Sequence, residues 1–248
     1  MADLVDIHTH LLPDLDDGPT SMEQSLQLAK KFVESGTHFV FATPHGFSPY
    51  YHTDVSAIQQ AMNAFRQFLQ EELLPLEIAM GMEVRYHQDL FSKLEDGSAL
   101  CLGGKQAGER FLLLELPTRD WPMHFTDVIY ELKIREITPI IAHPERNMIA
   151  QQDPHVVEEV VEEGAWVQLT AGACTGEFGP LCQKAAKRFT SEGWVHLVAS
   201  DAHDAIHRAP GLSNAYNIIA HEWRLPTMVS TLQQNALDVW QMSTNWRR

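Results

Sequence analysis

Seven short apolar runs recur along the 248-residue chain, at residues 4–7, 39–42, 76–80, 111–114, 139–142, 166–169 and 195–198. They are near-continuous rather than alternating, which suits strands covered on both faces, as in a parallel sheet. Amphipathic stretches lie between them. Residues 21–35 place Met22, Leu26, Ala29 and Val33 on one helical face, with Thr20 and Glu23 in capping-box spacing and Gly36 as the stop. Asp153 and Pro154 read as N-cap and first residue of a helix that ends at Gly164. Residues 55–73 and 178–192 are also expected to be helical. Runs alternating with helices predict an α/β protein, and both a closed barrel and an open doubly wound sheet satisfy the pattern. No Pro/Gly-rich linker, repeat or low-complexity tract interrupts the chain, so a single domain over 1–248 is expected. The stretch 95–110, with Gly97, Gly103, Gly104 and Gly108, reads as a flexible excursion.

The residues at the ends of these runs narrow the choice. His8 and His10 form an H-x-H at the end of the first, and alternate strand residues point the same way. The second is followed by Thr43-Pro44-His45 and the third by Gly81-Met82-Glu83. The fourth ends at Glu115, the fifth in Ala142-His143-Pro144-Glu145-Arg146, and the seventh in Ser200-Asp201-Ala202-His203. Any one of these residues alone reads as a solvated loop side chain. Six of seven strand ends finishing in His, Asp or Glu do not. A closed barrel gathers all its strand ends around one mouth, where active sites lie, so the barrel is the favoured architecture. Glu115 sits inside an apolar run, where an unpaired carboxylate is costly and a metal or a cation would offset the cost. With Asp17 there are nine candidate ligands, more than one ion can use. Mixed imidazole and carboxylate without thiolate suits Mn²⁺, Fe²⁺ or Zn²⁺.

Charge and cysteine content remove other classes. Lys and Arg number 18 against 33 Asp and Glu, a formal charge of −15, which argues against a general nucleic-acid binder. The three cysteines, Cys101, Cys174 and Cys182, have neither disulfide-framework nor zinc-ribbon spacing. Cys182 and Arg188 satisfy C-x₅-R, the signature of cysteine-dependent tyrosine phosphatases. The residues between them are strong helix formers, whose N–H groups are not free to cradle a phosphate. Residues 1–4 carry no basic region or long apolar stretch, and no apolar run approaches the ~18 residues needed to span a bilayer. A cytoplasmic protein without a membrane segment is expected.

The series Asp6-Ile7-His8-Thr9-His10, Asp16-Asp17-Gly18, Ala42-Thr43-Pro44-His45, Glu83, Leu114-Glu115, Ile141-Ala142-His143-Pro144-Glu145-Arg146 and Ala199-Ser200-Asp201-Ala202-His203 resembles the polymerase and histidinol phosphatase (PHP) superfamily. Within it, the motifs look like those of the metal-dependent protein-tyrosine phosphatases of bacterial capsule and exopolysaccharide loci. The resemblance implies a distorted (β/α)₇ TIM-like barrel holding three divalent ions, usually Mn²⁺. Carried over, His8, His10, Glu83 and Asp201 hold the first ion; Glu83, Glu115 and His143 hold the second; Asp17, His45 and His203 hold the third. Arg146 and Arg208 match residues that grip phosphate, and Asp201 and His203 are expected at the catalytic centre. The implied reaction is hydrolysis of phosphotyrosine by a metal-bridged hydroxide. His203, Asp14 and a metal-bound water all remain open as the proton donor to the leaving group. The implied partner is a phosphotyrosine protein, such as a polysaccharide-export tyrosine kinase. The first alternative is a PHP phosphatase for histidinol phosphate or a nucleotide; a non-catalytic metal-stabilised domain is opposed by the complete nine-ligand set with both Arg146 and Arg208, and an amidohydrolase-like enzyme would have no need for those two arginines. One departure is visible, since relatives often read T-P-H-H where this chain has Gly46. Tyr50 and Tyr51 can either wall a phosphotyrosine ring or simply anchor their loop.

Overall fold

Each apolar run becomes a strand, but the strands do not map onto the runs one to one. The computed structural model describes residues 4–104 and 110–244. Its strands are β1 (Leu4–Thr9), β2 (Thr37–Ala42), β3 (His45–Gly46), β4 (Glu77–Met80), β5 (Glu83–Arg85), β6 (Arg110–Glu115), β7 (Ile137–Ala142), β8 (Trp166–Thr170) and β9 (Leu197–Ala199). All pair in parallel, in the orders β1-β2-β4 and β3-β5-β6-β7-β8-β9. The two sheets are one ring of seven staves. Pro44 has no N–H to donate, so β2 breaks and resumes as β3; β4 breaks beside it at Gly81-Met82 and resumes as β5. Gly81 N–H to Ala42 O (2.9 Å) and Glu83 N–H to Pro44 O (3.1 Å) carry the pairing through both breaks. The ring closes where His10 N–H meets Ala202 O (2.9 Å) and Asp201 N–H meets His8 O (3.0 Å).

Period-two burial sorts the strand residues. Val5, Ile7, Phe39, Phe41, Leu113, Ile140, Leu197 and Ala199 fill the interior. Their outward neighbours Val40, Ile78, Leu112 and Ile141 pack under α1 (Met22–Glu34), α2 (Val55–Glu71) and α4 (Phe125–Ile134), with α3 (Leu90–Glu95) beside them. Val167, Leu169 and Val198 pack under α6 (His155–Glu162), α8 (Pro180–Ser191) and α9 (Leu212–Asn217), near the short helices α5 (Met148–Gln152) and α7 (Ala171–Thr175). The last helix, α10 (Pro226–Thr244), closes the floor, with Trp240 5.2 Å and 5.1 Å from the rings of Phe39 and Phe41. Among the described residues, no helix is long and apolar enough to cross a membrane.

Three local expectations are corrected. Helix α1 is capped by Ser21, whose hydroxyl accepts from Gln24 N–H (3.3 Å); Thr20 and Glu23 do not form the box, because Thr20 instead bonds the Gln24 side chain. Pro154 is the cap of α6 rather than its first residue, although Asp153 still accepts from His155 N–H (3.3 Å). The stretch 95–110 is no excursion where it is described. Ala99, Leu100, Cys101 and Leu102 are buried, and the chain is laid between β4 and β6 by Leu102 N–H to Phe111 O (2.8 Å) and Gly103 N–H to Met80 O (2.7 Å). Gly103 makes this possible: its φ is +83°, and a Cβ there would collide with the Ser243 carbonyl of α10. Gly108 lies outside the described residues.

Candidate metal centre

The inward positions of the staves turn polar at the mouth. Leu113 is followed two residues on by Glu115, and Ala199 by Asp201, so the period that buries an apolar layer also aims the next side chain into the mouth. On β1 the register shifts between Asp6 and Thr9, and after Val5 and Ile7 it is His8 and His10 that reach the mouth. Asp6 seals this irregular seam by accepting Ser200 N–H at 3.1 Å and 3.2 Å; burial pushes its carboxyl up to about 6. His143 and Asp201 leave their strands with φ of 36° and 52°. Non-glycine residues in this left-handed region carry strain, which the surroundings must hold in place.

Glu83 is the hub. Its Oε2 lies 3.3 Å from His8 Nε2, 3.4 Å from His10 Nε2 and 2.9 Å from His45 Nδ1, and its Oε1 lies 2.9 Å from His143 Nε2. Asp201 Oδ1 faces His8 Nε2 (3.5 Å) and His10 Nε2 (3.3 Å). Asp17 Oδ1 faces His203 Nε2 (3.2 Å) and His45 Nε2 (3.5 Å). All nine candidate ligands of the sequence therefore meet at one mouth. They fall into four overlapping groups whose donor atoms lie within 4.8 Å of one another: His10, Asp17, His45 and His203; His8, His10 and Asp201; His8, Glu83 and His143; His45, Glu83 and Glu115. Two placements differ from the assignment by resemblance. His10 also stands with Asp17, His45 and His203, and Glu115 groups with His45 rather than His143.

The imidazoles are oriented as ligands. His8 Nδ1 donates to Gln168 Oε1 (3.0 Å), His10 Nδ1 to Asp16 Oδ2 (2.6 Å) and His203 Nδ1 to the Asp201 carbonyl (2.9 Å). Each bond fixes the tautomer and leaves the Nε2 lone pair facing inward, the arrangement in which histidine binds metal. His8 Nε2, His10 Nε2, His203 Nε2, His45 Nδ1 and Glu83 Oε2 are buried without a hydrogen-bond partner. Orphaned donors and acceptors of this kind are costly unless something else engages them, and a divalent cation does so for a set of imidazole nitrogens and carboxylate oxygens. The residues fit divalent metal ions. Burial pushes the Glu83 carboxyl up, but His8 and the other imidazoles hold it well below the usual carboxylate range. Burial likewise opposes ionisation of Asp201, and His8, His10 and Arg208 overcome it. Burial also opposes protonation of His10, yet Asp16, Asp201 and Glu83 raise it well above its ordinary value.

Around this ring sit residues to which the sequence had given no role. Asp16 belongs to a quoted motif, yet its work is seen only here: it holds His10 and accepts His45 N–H at 2.9 Å. Gln168 comes from β8, the one run without a titratable end. Arg85 bonds Glu115 (3.1 Å) from the facing register position, so the carboxylate inside the apolar run has its cation. The alternation of Glu83 and Arg85 along one strand face was the signal for it. Arg146 Nη1 and Arg208 Nη2 both donate to Asp201 Oδ2, at 2.8 Å and 2.6 Å. Arg146 rests on the Phe178 ring (4.8 Å). Arg208 is presented by a turn in which the Asp204 carboxylate accepts the N–H groups of Ile206 (2.6 Å), His207 (2.5 Å) and Arg208 (3.3 Å). Gly46 is explained by packing: a Cβ there would collide with the sulfur of buried Met82. Cys182 and Arg188 lie within α8, Cys182 in its first turn rather than its middle. Burial raises the Cys182 thiol, which weakens it as a nucleophile.

Comparison with known proteins places this geometry. The family model described as capsular polysaccharide synthesis, CpsB/CapC, matches residues 4–241. The chain is 30% identical over 229 residues to the tyrosine-protein phosphatase YwqE of Bacillus subtilis, covering 92% of this chain and 89% of that one. It is 29% identical over 225 residues to the tyrosine-protein phosphatase CpsB of Streptococcus pneumoniae, covering 89% and 91%. A chain from the crystal structures of those two proteins, described as unique metal-dependent tyrosine phosphatases, superposes with a TM-score of 0.90 at 29% identity over 98% of this chain and 96% of that one. A histidinol phosphate phosphatase of Lactococcus lactis shares the fold alone, with a TM-score of 0.55 at 11% identity over 94% of both chains. A match spanning nearly the whole ring, from the first residue of β1 into α10, leaves no motif of the mouth outside it: the chain belongs to the CpsB/CapC family of capsular polysaccharide synthesis.

Proposed function

We propose that the chain is a metal-dependent protein-tyrosine phosphatase, a phosphoric monoester hydrolase, formed by one domain over 1–248. It acts in the cytoplasm on a phosphotyrosine protein in the control of capsular or exopolysaccharide synthesis, and its substrate is a polysaccharide-export tyrosine kinase. His8, His10, Asp17, His45, Glu83, Glu115, His143, Asp201 and His203 would hold three divalent ions, with Mn²⁺ as the working metal. Divalent ions in such a site act as Lewis acids on phosphoryl oxygens and make a water molecule more acidic.

The observation that carries this reading is the two-sided use of Asp201. Its Oδ1 faces two imidazoles, while its Oδ2 anchors Arg146 and Arg208. Two guanidiniums held at the edge of an ion site suit a phosphate dianion, whose oxygens accept forked N–H donors. In the transition state the same donors stabilise the equatorial oxygens. An amidohydrolase acting on a neutral substrate has no use for such a pair. His203, with Nδ1 tied to the Asp201 carbonyl, presents Nε2 toward Asp17 at the outer edge of the ring.

The test is phosphate release from a phosphotyrosine peptide by metal-stripped protein before and after adding Mn²⁺, with histidinol phosphate and the Cys182→Ser variant alongside. Activity that requires Mn²⁺ and survives Cys182→Ser is expected. Turnover of histidinol phosphate alone would move the substrate, and activity lost with Cys182 but indifferent to metal would overturn the mechanism.

A further inference from the structure

The phosphate of any substrate must descend to a floor that is almost closed to solvent: His8, His10, Glu83 and Asp201 are 0–2% exposed. Whatever the phosphate is attached to is therefore left at the level of the rim. At that level an aromatic ring packs directly on one of the candidate ligands. Tyr51 stacks on His45 with ring centroids 5.8 Å apart and planes within 5°. Tyr50 is different in kind. It is 82% exposed and meets Tyr51 edge-on at 66°. The segment between His45 and α2 is pinned at several points. Phe47 takes a left-handed backbone (φ 61°) and lies under Lys93 (5.6 Å). Tyr50 N–H bonds the Ser48 hydroxyl (3.2 Å), and the Thr53 hydroxyl donates to Leu15 O (2.7 Å). A ring held this way does not lose much freedom when a ligand packs on it. Beyond Asp17, a cavity of about 330 Å³ lined by Pro19, His203, Ile206 and His207 gives room beside the ion site.

We propose that Tyr51 is a specificity-determining residue: its ring forms the wall on which the aryl group of a phosphorylated tyrosine packs while the phosphate lies at Arg146 and Arg208. The proposal rests on the phosphotyrosine reading of the site and goes beyond it by naming the residue that distinguishes an aryl from an alkyl phosphate. Stacked or edge-on aromatic pairs contribute about 2- to 12-fold in binding beyond the area they cover. Tyr50, solvated and edge-on, does not take part.

The test is calorimetric binding of benzylphosphonate and methylphosphonate, two unreactive phosphate mimics, to Mn²⁺-loaded wild type, Tyr51→Ala, Tyr51→Phe and Tyr50→Ala. Bound metal per chain is measured for each protein. The wild type is expected to prefer benzylphosphonate, Tyr51→Ala to lose about 2- to 12-fold for that ligand only, and the other two variants to keep the preference. An absent preference in the wild type, a preference that survives Tyr51→Ala, or an equal loss for both ligands overturns the proposal, the last by showing that Tyr51 acts through His45. A wild type that prefers benzylphosphonate but releases no phosphate from a phosphotyrosine peptide sinks the enzymatic reading and leaves the aryl site standing.

Discussion

Asp201 combines three constraints in one residue: a left-handed backbone, a carboxylate divided between imidazoles and guanidiniums, and almost no exposure. Because Arg146 and Arg208 share one oxygen of it, they are not independent. Arg146→Ala or Arg208→Ala is expected to lower kcat/KM for a phosphotyrosine peptide by about 10²–10³-fold, the range for removing a transition-state donor. The double variant is expected to lose less than the product of the two, as residues in one network do. Steady-state kinetics with metal analysis checks this; loss of bound metal in either single variant would mean that the arginine serves the ions instead. At this scale the sequence was most legible where a residue type is rare in its setting, as with Glu115 inside an apolar run. Asp16 and Gln168 were not legible as partners, because a polar residue whose work is to orient another side chain has no composition or spacing of its own. Gln168 meets His8 across 160 positions of sequence, a contact that exists only once β1 and β8 share the ring, while Asp16 reaches His10 from six positions away.

At the level of elements, the apolar runs marked the seven staves because parallel strands buried on both faces need such runs. The divisions inside two staves were hidden, since Pro44 and Gly81 look like strand ends when the resumption after them, β3 or β5, is only two or three residues long. The segment through Gly103 misled for a related reason: clustered glycines signal turns, and here they also permit close approach of α10. Gly103→Ala must accommodate both a positive φ and the Ser243 carbonyl. It is expected to destabilise the fold by roughly 2–4 kcal/mol. Urea unfolding would show this as a lower midpoint with an unchanged slope; a midpoint equal to wild type would mean that α10 shifts away freely.

Over the molecule as a whole, a chain of net charge −15 concentrates its buried carboxylates and imidazoles at one end of a barrel whose other end is closed by α10. Ions that bind the folded ring and not the unfolded chain must stabilise it. Stripping the metal is expected to lower the melting temperature by about 5–10 °C relative to protein held at a hundredfold excess over the dissociation constant, and Mn²⁺ is expected to restore it. Scanning fluorimetry with and without a chelator reads this directly. An unchanged melting temperature would show that the orphaned nitrogens are not where the ions bind.

The seam between β1 and the stretch after β9 has a consequence for how the protein comes into being. His8 and His10 leave the ribosome first among the ligands, Asp201 and His203 last, and they meet only when chain ends nearly two hundred residues apart are joined. Contacts of such separation form late, after the loop entropy of everything between them has been met. A nascent or stalled chain that stops short of Asp201 therefore carries the ligands of two groups, His8, Glu83 and His143 and His45, Glu83 and Glu115, but lacks a member of each of the other two. The complete ion site belongs to the finished ring.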